Sequence, residues 1–204
     1  MSLAAADRAS DSDRIAPIYW VLAGAFALVL ALALLTMRRL PWCACGTIKL
    51  WPGDVFSSEN SQQLTDWYTF SHIVHGLLFY AVLWLVGRRW PLGIRFLIAM
   101  GVEVSWEVLE NTDYVINRYR EDTAALNYYG DSVINSVGDY LAAMLGFFLA
   151  ARLPLRATLV AALLLETVPA FVIRDNLTLN VIMLIHPVDA IRDWQLTGMQ
   201  PPHS

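Results

Sequence analysis

Lysine is almost absent from this chain: Lys49 is the only one in 204 residues. Charge of either sign is scarce, at 16% of residues, where a soluble domain carries about 25%. The net charge is −4 with no basic tract, which excludes nucleic acid as a partner. Cysteine is nearly missing too. Cys43 and Cys45 stand one residue apart in Cys-Ala-Cys-Gly. Two thiols define no disulfide framework, and so tight a ring is strained, so both read as plain loop cysteines rather than a metal or redox pair. No serine or cysteine lies within a nucleophile motif, and no internal repeat is present.

What fills the space is apolar. Hydrophobic residues make up 57% of the chain, and the mean hydropathy is positive. The apolar runs reach the length needed to cross a bilayer, which argues for a membrane protein. The length suits one compact helical bundle and no separate soluble domain.

Residues 1–16 are small, polar and charged and read as a disordered cytoplasmic tail. Pro17 to Met37 is a first spanning helix; it outruns a signal-peptide core and no small-residue cleavage site follows. Residues 38–66 form a long loop with Trp42 and Trp51 as interface anchors, a length that marks function or disorder. Trp67 to Val86, Ile94 to Asn111, Asp131 to Ala151 and Leu155 to Ile173 follow as further helices. Residues 112–130 between the third and fourth are a polar loop. Leu177 to Ile185 is apolar but too short to span upright and stands as a candidate sixth, broken segment. His186 reads as an interface residue, and residues 196–204, with His203, as a flexible tail. The fold expected is an all-α polytopic membrane bundle of five spanning helices, possible extension to six included, with residues 17–195 as its single domain.

The short turns at 88–95 and 152–156 hold five arginines, which places them in the cytoplasm by the positive-inside rule. The long loops then face outward. On that outer side three polar clusters meet. His72 and His75 begin one helix, Glu103, Glu107 and Glu110 end the next, and Asp131, Asn135 and Asp139 begin the following one. The glutamates recur at i, i+4 and i+7, and the Asp131 set at i, i+4 and i+8, so each set shares a face. Gly138, Ala142 and Gly146 continue the second face as small residues that admit a close helix neighbour. Asp131 at a helix start also suits the helix dipole.

Ionisable groups within spans are expensive, which makes them functional-site candidates. Singly, each reads as a hydrogen-bonded register device; as a set of eight they read as a site. Three uses follow. His72, His75 and Glu107 are the residues to hold a divalent metal. Clustered carboxylates can supply an acid beside a base, with Glu107, Asp131 and His72 in the reacting roles. The whole set, with His75, Glu103, Glu110, Asn135 and Asp139 as binding residues, can recognise a headgroup. Glu166 and Arg174, eight apart on the fifth helix, share a face; they are expected to pair, or Arg174 to face the site. Trp106 reads as packing.

At these residues the chain closely resembles an uncharacterised family of bacterial multi-pass inner-membrane proteins. More loosely, residues 66–150 resemble the VanZ-like family, whose pattern is an Asp-x-x-His opening, a Glu late in the next helix, and Asp-x-x-x-Asn-x-x-Gly. Ser71-His72 and His75, Glu103 or Glu107, and Asp131-Ser-Val-Ile-Asn135-Ser-Val-Gly138 occupy these places. Asp66 stands six residues before His72 rather than three, a departure from the pattern. The resemblance implies a cell-envelope location and a bundle, without a substrate. The functional expectation is an inner-membrane protein with a periplasm-facing polar site that binds, and processes, a lipid or lipid-linked headgroup. The alternatives are a small transporter or proton-coupled carrier, which a polar face continuing across the bilayer would favour, and a non-enzymatic envelope scaffold.

Overall fold

The computed structural model describes residues 15–123 and 128–197. The expected terminal tails, apart from residues 15, 16, 196 and 197, lie outside the described residues, as does His203. In chain order the described residues form α1 (Pro17–Thr36), α2 (Thr69–Gly87), α3 (Leu92–Glu110), α4 (Asp113–Asp122), α5 (Val133–Arg152), α6 (Leu155–Val172), α7 (Leu177–Ile185) and α8 (Asp189–Leu196). The all-α expectation holds. Helices α1, α2, α5 and α6 are long and apolar enough to cross a membrane. The fifth expected span, α3, has 19 residues but carries Arg95, Glu103, Glu107 and Glu110, and packs among α1, α2 and α5.

The outward faces of the spanning helices are apolar, as faces in lipid should be. On α1, Ala23, Leu30 and Leu34 face the bundle, while Val21, Leu28, Val29 and Leu32 face outward. Pro17 starts α1 in its first turn, where its missing N–H costs nothing. Helix α6 is the most peripheral, with Pro169 its buried residue. Tyr140 ties α5 to α1 by donating to the Ala23 carbonyl at 2.9 Å.

The closest pairing is α2 against α5. A Cβ at Gly76 would overlap the Ala143 carbonyl, and one at Gly146 would overlap the Ile73 carbonyl. Gly138 meets the Leu64 carbonyl in the same way. The small-residue stripe expected on this helix therefore does bring two backbones together.

Three expectations are corrected. Residues 112–130 are not all loop: α4 forms because Thr112 caps it, accepting from Val115 N at 3.4 Å, with Asp113 in the first turn. The stretch after His186, assigned no helix above, carries α8. Cys43 and Cys45 are joined in a disulfide, with Cα atoms 5.1 Å apart. The turn closed by Gly46 N donating to Cys43 O at 3.0 Å folds the two sulfurs together.

The long segment 38–66 is ordered without regular structure and lies over the start of α5. Val133 N donates to Leu40 O at 2.8 Å and Ser132 N to Ser61 O at 2.9 Å. Ser132 Oγ donates to Gln62 O at 3.0 Å. The free N–H groups of a helix start are thus taken up by the loop carbonyls.

Candidate functional site

Helices α2 and α5 begin, and α3 ends, at one end of the bundle. This antiparallel order brings the three expected clusters together. Their separate periodicities then aim them inward. Glu103 and Glu107 are 0% exposed, and His72, Asp131, Asn135 and Asp139 are buried.

His72 is the hub. Its Nδ1 lies 2.7 Å from Glu103 Oε1, and His75 Nδ1 lies 3.2 Å from Glu103 Oε2. One glutamate thus holds both imidazoles. His72 Nε2 points the other way, 3.9 Å from Asp139 Oδ2. The other Asp139 oxygen accepts from Thr69 Oγ1 at 2.8 Å. With Nδ1–H on Glu103, the His72 Nε2 lone pair is left for a proton or a cation, the usual consequence of a carboxylate behind an imidazole.

Glu107 is different. His72 Nδ1 is 3.2 Å from its Oε1, but the single proton there is directed at the nearer Glu103. Both Glu107 oxygens are buried without a hydrogen bond. An unpartnered buried carboxylate is costly and calls for an explanation.

Asp131 does not lie inside the helix as its spacing implied. It precedes the Ser132 cap, so backbone rather than helical period sets its direction. Asn111 holds it at both ends: Asp131 N donates to Asn111 Oδ1 at 2.7 Å, and Asn111 Nδ2 donates to Asp131 Oδ2 at 2.8 Å. Tyr128 Oη donates to the same Oδ2 at 3.0 Å. Burial pushes the Asp131 carboxyl up to about 6, against the lowering effect of these donors. Asn135 Nδ2 donates to Gln63 O at 2.9 Å, and to Asp66 Oδ2 at 3.4 Å.

Among the described residues, three groups of side chains place ligand atoms within 4.8 Å of one another: His72, His75 and Glu103; His72, Glu107 and Asp139; and Glu107, Glu110 and Asp131. The carboxylate grouped with both histidines is Glu103, whereas the expected metal trio named Glu107.

A cavity of about 560 Å³ opens onto this cluster, within the usual size of a ligand site. His72, Glu110, Asp131, Asn135 and Asp139 line it, together with Tyr68, Tyr119, Tyr128, Arg39 and Arg174. Glu103, Glu107 and His75 stand behind that wall. Leu40, Val55, Phe56 and Ile173 add apolar lining to the cavity. Among the described residues the non-glycine residues with left-handed backbone are Arg38, Ser61 and Arg174, and all three line this cavity. Such backbone gathers at functional sites.

Several residues of the site carried no signal in the sequence. Asp66, whose displaced spacing left its role open, is buried and accepts from Ser61 N at 2.9 Å and Tyr68 N at 2.7 Å; burial pushes its carboxyl up. Asp175 accepts from Tyr68 Oη at 3.1 Å, Asn180 Nδ2 at 3.1 Å, Gln195 Nε2 at 3.0 Å and Asn176 N at 2.9 Å. Burial raises it to about 7. Glu166 and Arg174 do not pair. Glu166 accepts from Leu177 N at 3.2 Å and Thr178 N at 3.0 Å, capping α7, while Arg174 donates to Trp194 O at 2.9 Å and reaches the cavity wall. Trp106 packs edge-on against His75.

The chain matches the family model described as protein of unknown function (DUF2585) over residues 34–197. It is similar to the UPF0314 protein of Paracoccus denitrificans, 54% identical over 81% of this chain and 86% of the relative. A UPF0314 protein of Rhizobium etli is 56% identical over 78% of this chain and 82% of its own length. That of Sphingopyxis alaskensis is 50% identical over 88% and 95%. No solved structure matches.

Proposed function

Because the chain belongs to the family described as protein of unknown function DUF2585, its chemistry rests on its own residues, and we propose that it is an integral inner-membrane protein whose polar site faces the periplasm and binds and processes a lipid or lipid-linked envelope headgroup. The observation that carries this reading is Glu107: a fully buried carboxylate without a hydrogen bond, beside His72 and behind the wall of a cavity. In this reading His72, held by Glu103, acts as base or ligand through Nε2, Glu107 and Asp131 serve as acid/base or ligand groups, and Asn135, Asp139 and Glu110 complete the pocket.

An amphiphile suits the cavity, whose lining combines carboxylates, phenols and three arginines with Leu40, Val55, Phe56 and Ile173. The periplasmic orientation is supported by Arg88 and Arg89 at the far end of α2 from His72, and by Arg152 at the far end of α5 from Asp131. The disulfide in the segment over the site suits an oxidising compartment. The VanZ-like motif is consistent with an envelope role. Below the cluster, α3 and α5 bury Phe96, Ala99, Met100, Ala143 and Phe147, which favours a dead-end site over a carrier path.

The test is a deletion strain complemented with His72→Ala and Glu107→Gln. Both variants are expected to remain folded in detergent and to fail to restore the envelope-lipid profile that wild type restores. Wild-type profiles from both variants would overturn the reading.

A further inference from the structure

The geometry points to a two-cation site in which Glu107 bridges one divalent ion held by His72 and Asp139 and a second held by Glu110 and Asp131. This inference deepens the reading above and rests on it only for the purpose of the ions, not for their binding.

Glu107 belongs to both of the relevant groups, each with its ligand atoms within 4.8 Å of one another. Its two oxygens are 0% exposed and without a hydrogen bond. A carboxylate buried in that state needs a proton or a positive partner, and two free oxygens can serve two ions. The neighbours are left open in the same direction. His72 has Nδ1 on Glu103, which leaves Nε2 on the side of Asp139. Asp139 keeps one oxygen on Thr69 and offers Oδ2. Asp131 takes both of its side-chain hydrogen bonds on Oδ2, which frees Oδ1. His72, Glu110, Asp131 and Asp139 all line the cavity, so ions here would keep coordination positions open to a ligand.

Charge leads to the same place. Among the described residues, the cationic groups at ion-pair distance from these carboxylates are His72 and His75, and both are held by Glu103. Four carboxylates remain: Glu107, Glu110, Asp131 and Asp139. Two divalent ions would neutralise them. A donor set of one imidazole nitrogen and carboxylate oxygens suits ions such as Mn²⁺ or Mg²⁺ rather than thiophilic metals. A pair of ions sharing a carboxylate stands about 3.5–4 Å apart. Glu103 is then a positioning residue, orienting His72 through Nδ1.

The experiment uses the full chain in detergent, stripped with chelator and titrated with MnCl₂. Bound manganese is counted, and its electron paramagnetic resonance spectrum is recorded. Wild type is expected to bind two ions with an exchange-coupled spectrum. Asp131→Asn and Asp139→Asn should each bind one ion with an uncoupled six-line spectrum. Glu107→Gln should lose the coupling altogether. Glu103→Gln should keep two ions at roughly 10- to 100-fold weaker affinity, as for an outer carboxylate behind a ligating imidazole. Asp193→Asn, which alters an exposed carboxylate of α8, should match wild type. Metal-free thermal midpoints check that each variant is folded. Wild type binding one ion or none, or Glu107→Gln retaining a coupled pair, would overturn the proposal. Should no ion bind while Glu107→Gln still fails in the deletion strain, the two-ion site falls and the functional reading stands. Should two coupled ions bind while that variant restores the lipid profile, the reverse holds.

Discussion

Asp175 is a half-buried and Glu107 a fully buried carboxylate beside the same cavity, and they are held in opposite ways. Asp175 accepts four hydrogen bonds, from α2, from α7, from α8 and from its own next residue. Glu107 accepts none. The first is a knot: it ties α7 and α8 to the start of α2, and its burial cost is partly offset by donors already in place. The second carries its cost uncompensated within the protein. A carboxylate whose partners are all internal is explained by the fold; one without partners has to be explained by something the protein binds or by a proton it handles.

This contrast can be tested from its largest consequence down. Burial raises the Asp175 carboxyl from 3.8 to about 7. The unfolded group gives up its proton near the lower value and the folded one near the higher. The folded chain therefore holds the extra proton in between, and stability falls as pH rises from about 4 to about 7. The full displacement corresponds to at most about 4 kcal/mol. Thermal midpoints in detergent between pH 4 and 8 should show this decline in wild type and a shallower one in Asp175→Asn; equal slopes would show that Asp175 is not the buried acid described here.

Removing the Asp175 carboxylate altogether should cost about 3 kcal/mol, because Tyr68, Asn180, Gln195 and the Asn176 N–H lose their acceptor together. Asp175→Ala should lower the midpoint at pH 7, and α7 and α8 should become the first segments to exchange their amide hydrogens.

Glu107→Gln should do the least to stability, and that is where the comparison is sharpest. In chelator-treated protein the amide removes a buried charge that has no internal partner, so the midpoint should stay within about 1 kcal/mol of wild type or rise. A loss as large as that of Asp175→Ala would make Glu107 a structural group like its neighbour.

The parts of the site legible in the sequence were those governed by short periods. Glu103, Glu107 and Glu110 recur on one helical face, and the small residues Gly138 and Gly146 announce a close neighbour, which α2 proves to be. The disposition of His72 follows from the same local reasoning. Asp66 was legible only as a departure from a spacing, and Asp175 not at all, because their partners lie far away in the chain: Asp66 reaches Asn135, and Asp175 reaches Tyr68 and Gln195. Helix α4 was missed because its stabilising signals, the Thr112 cap and a buried Val115, Ile116 and Tyr119, are embedded in a polar stretch whose composition reads as loop.

The sequence alone determined that the chain is a helical membrane protein with costly polar groups in three helices, because hydropathy and the 3.6-residue period are local properties. It could also set those groups at one end of the bundle, since antiparallel order follows from short turns. Which carboxylates are satisfied and which are left bare was decided by the tertiary structure, because hydrogen bonds are spent between side chains that only folding brings within about 3 Å. Glu103 and Glu107 lie one helical turn apart, each followed by a valine; folding gives the first two imidazoles and the second none to bond.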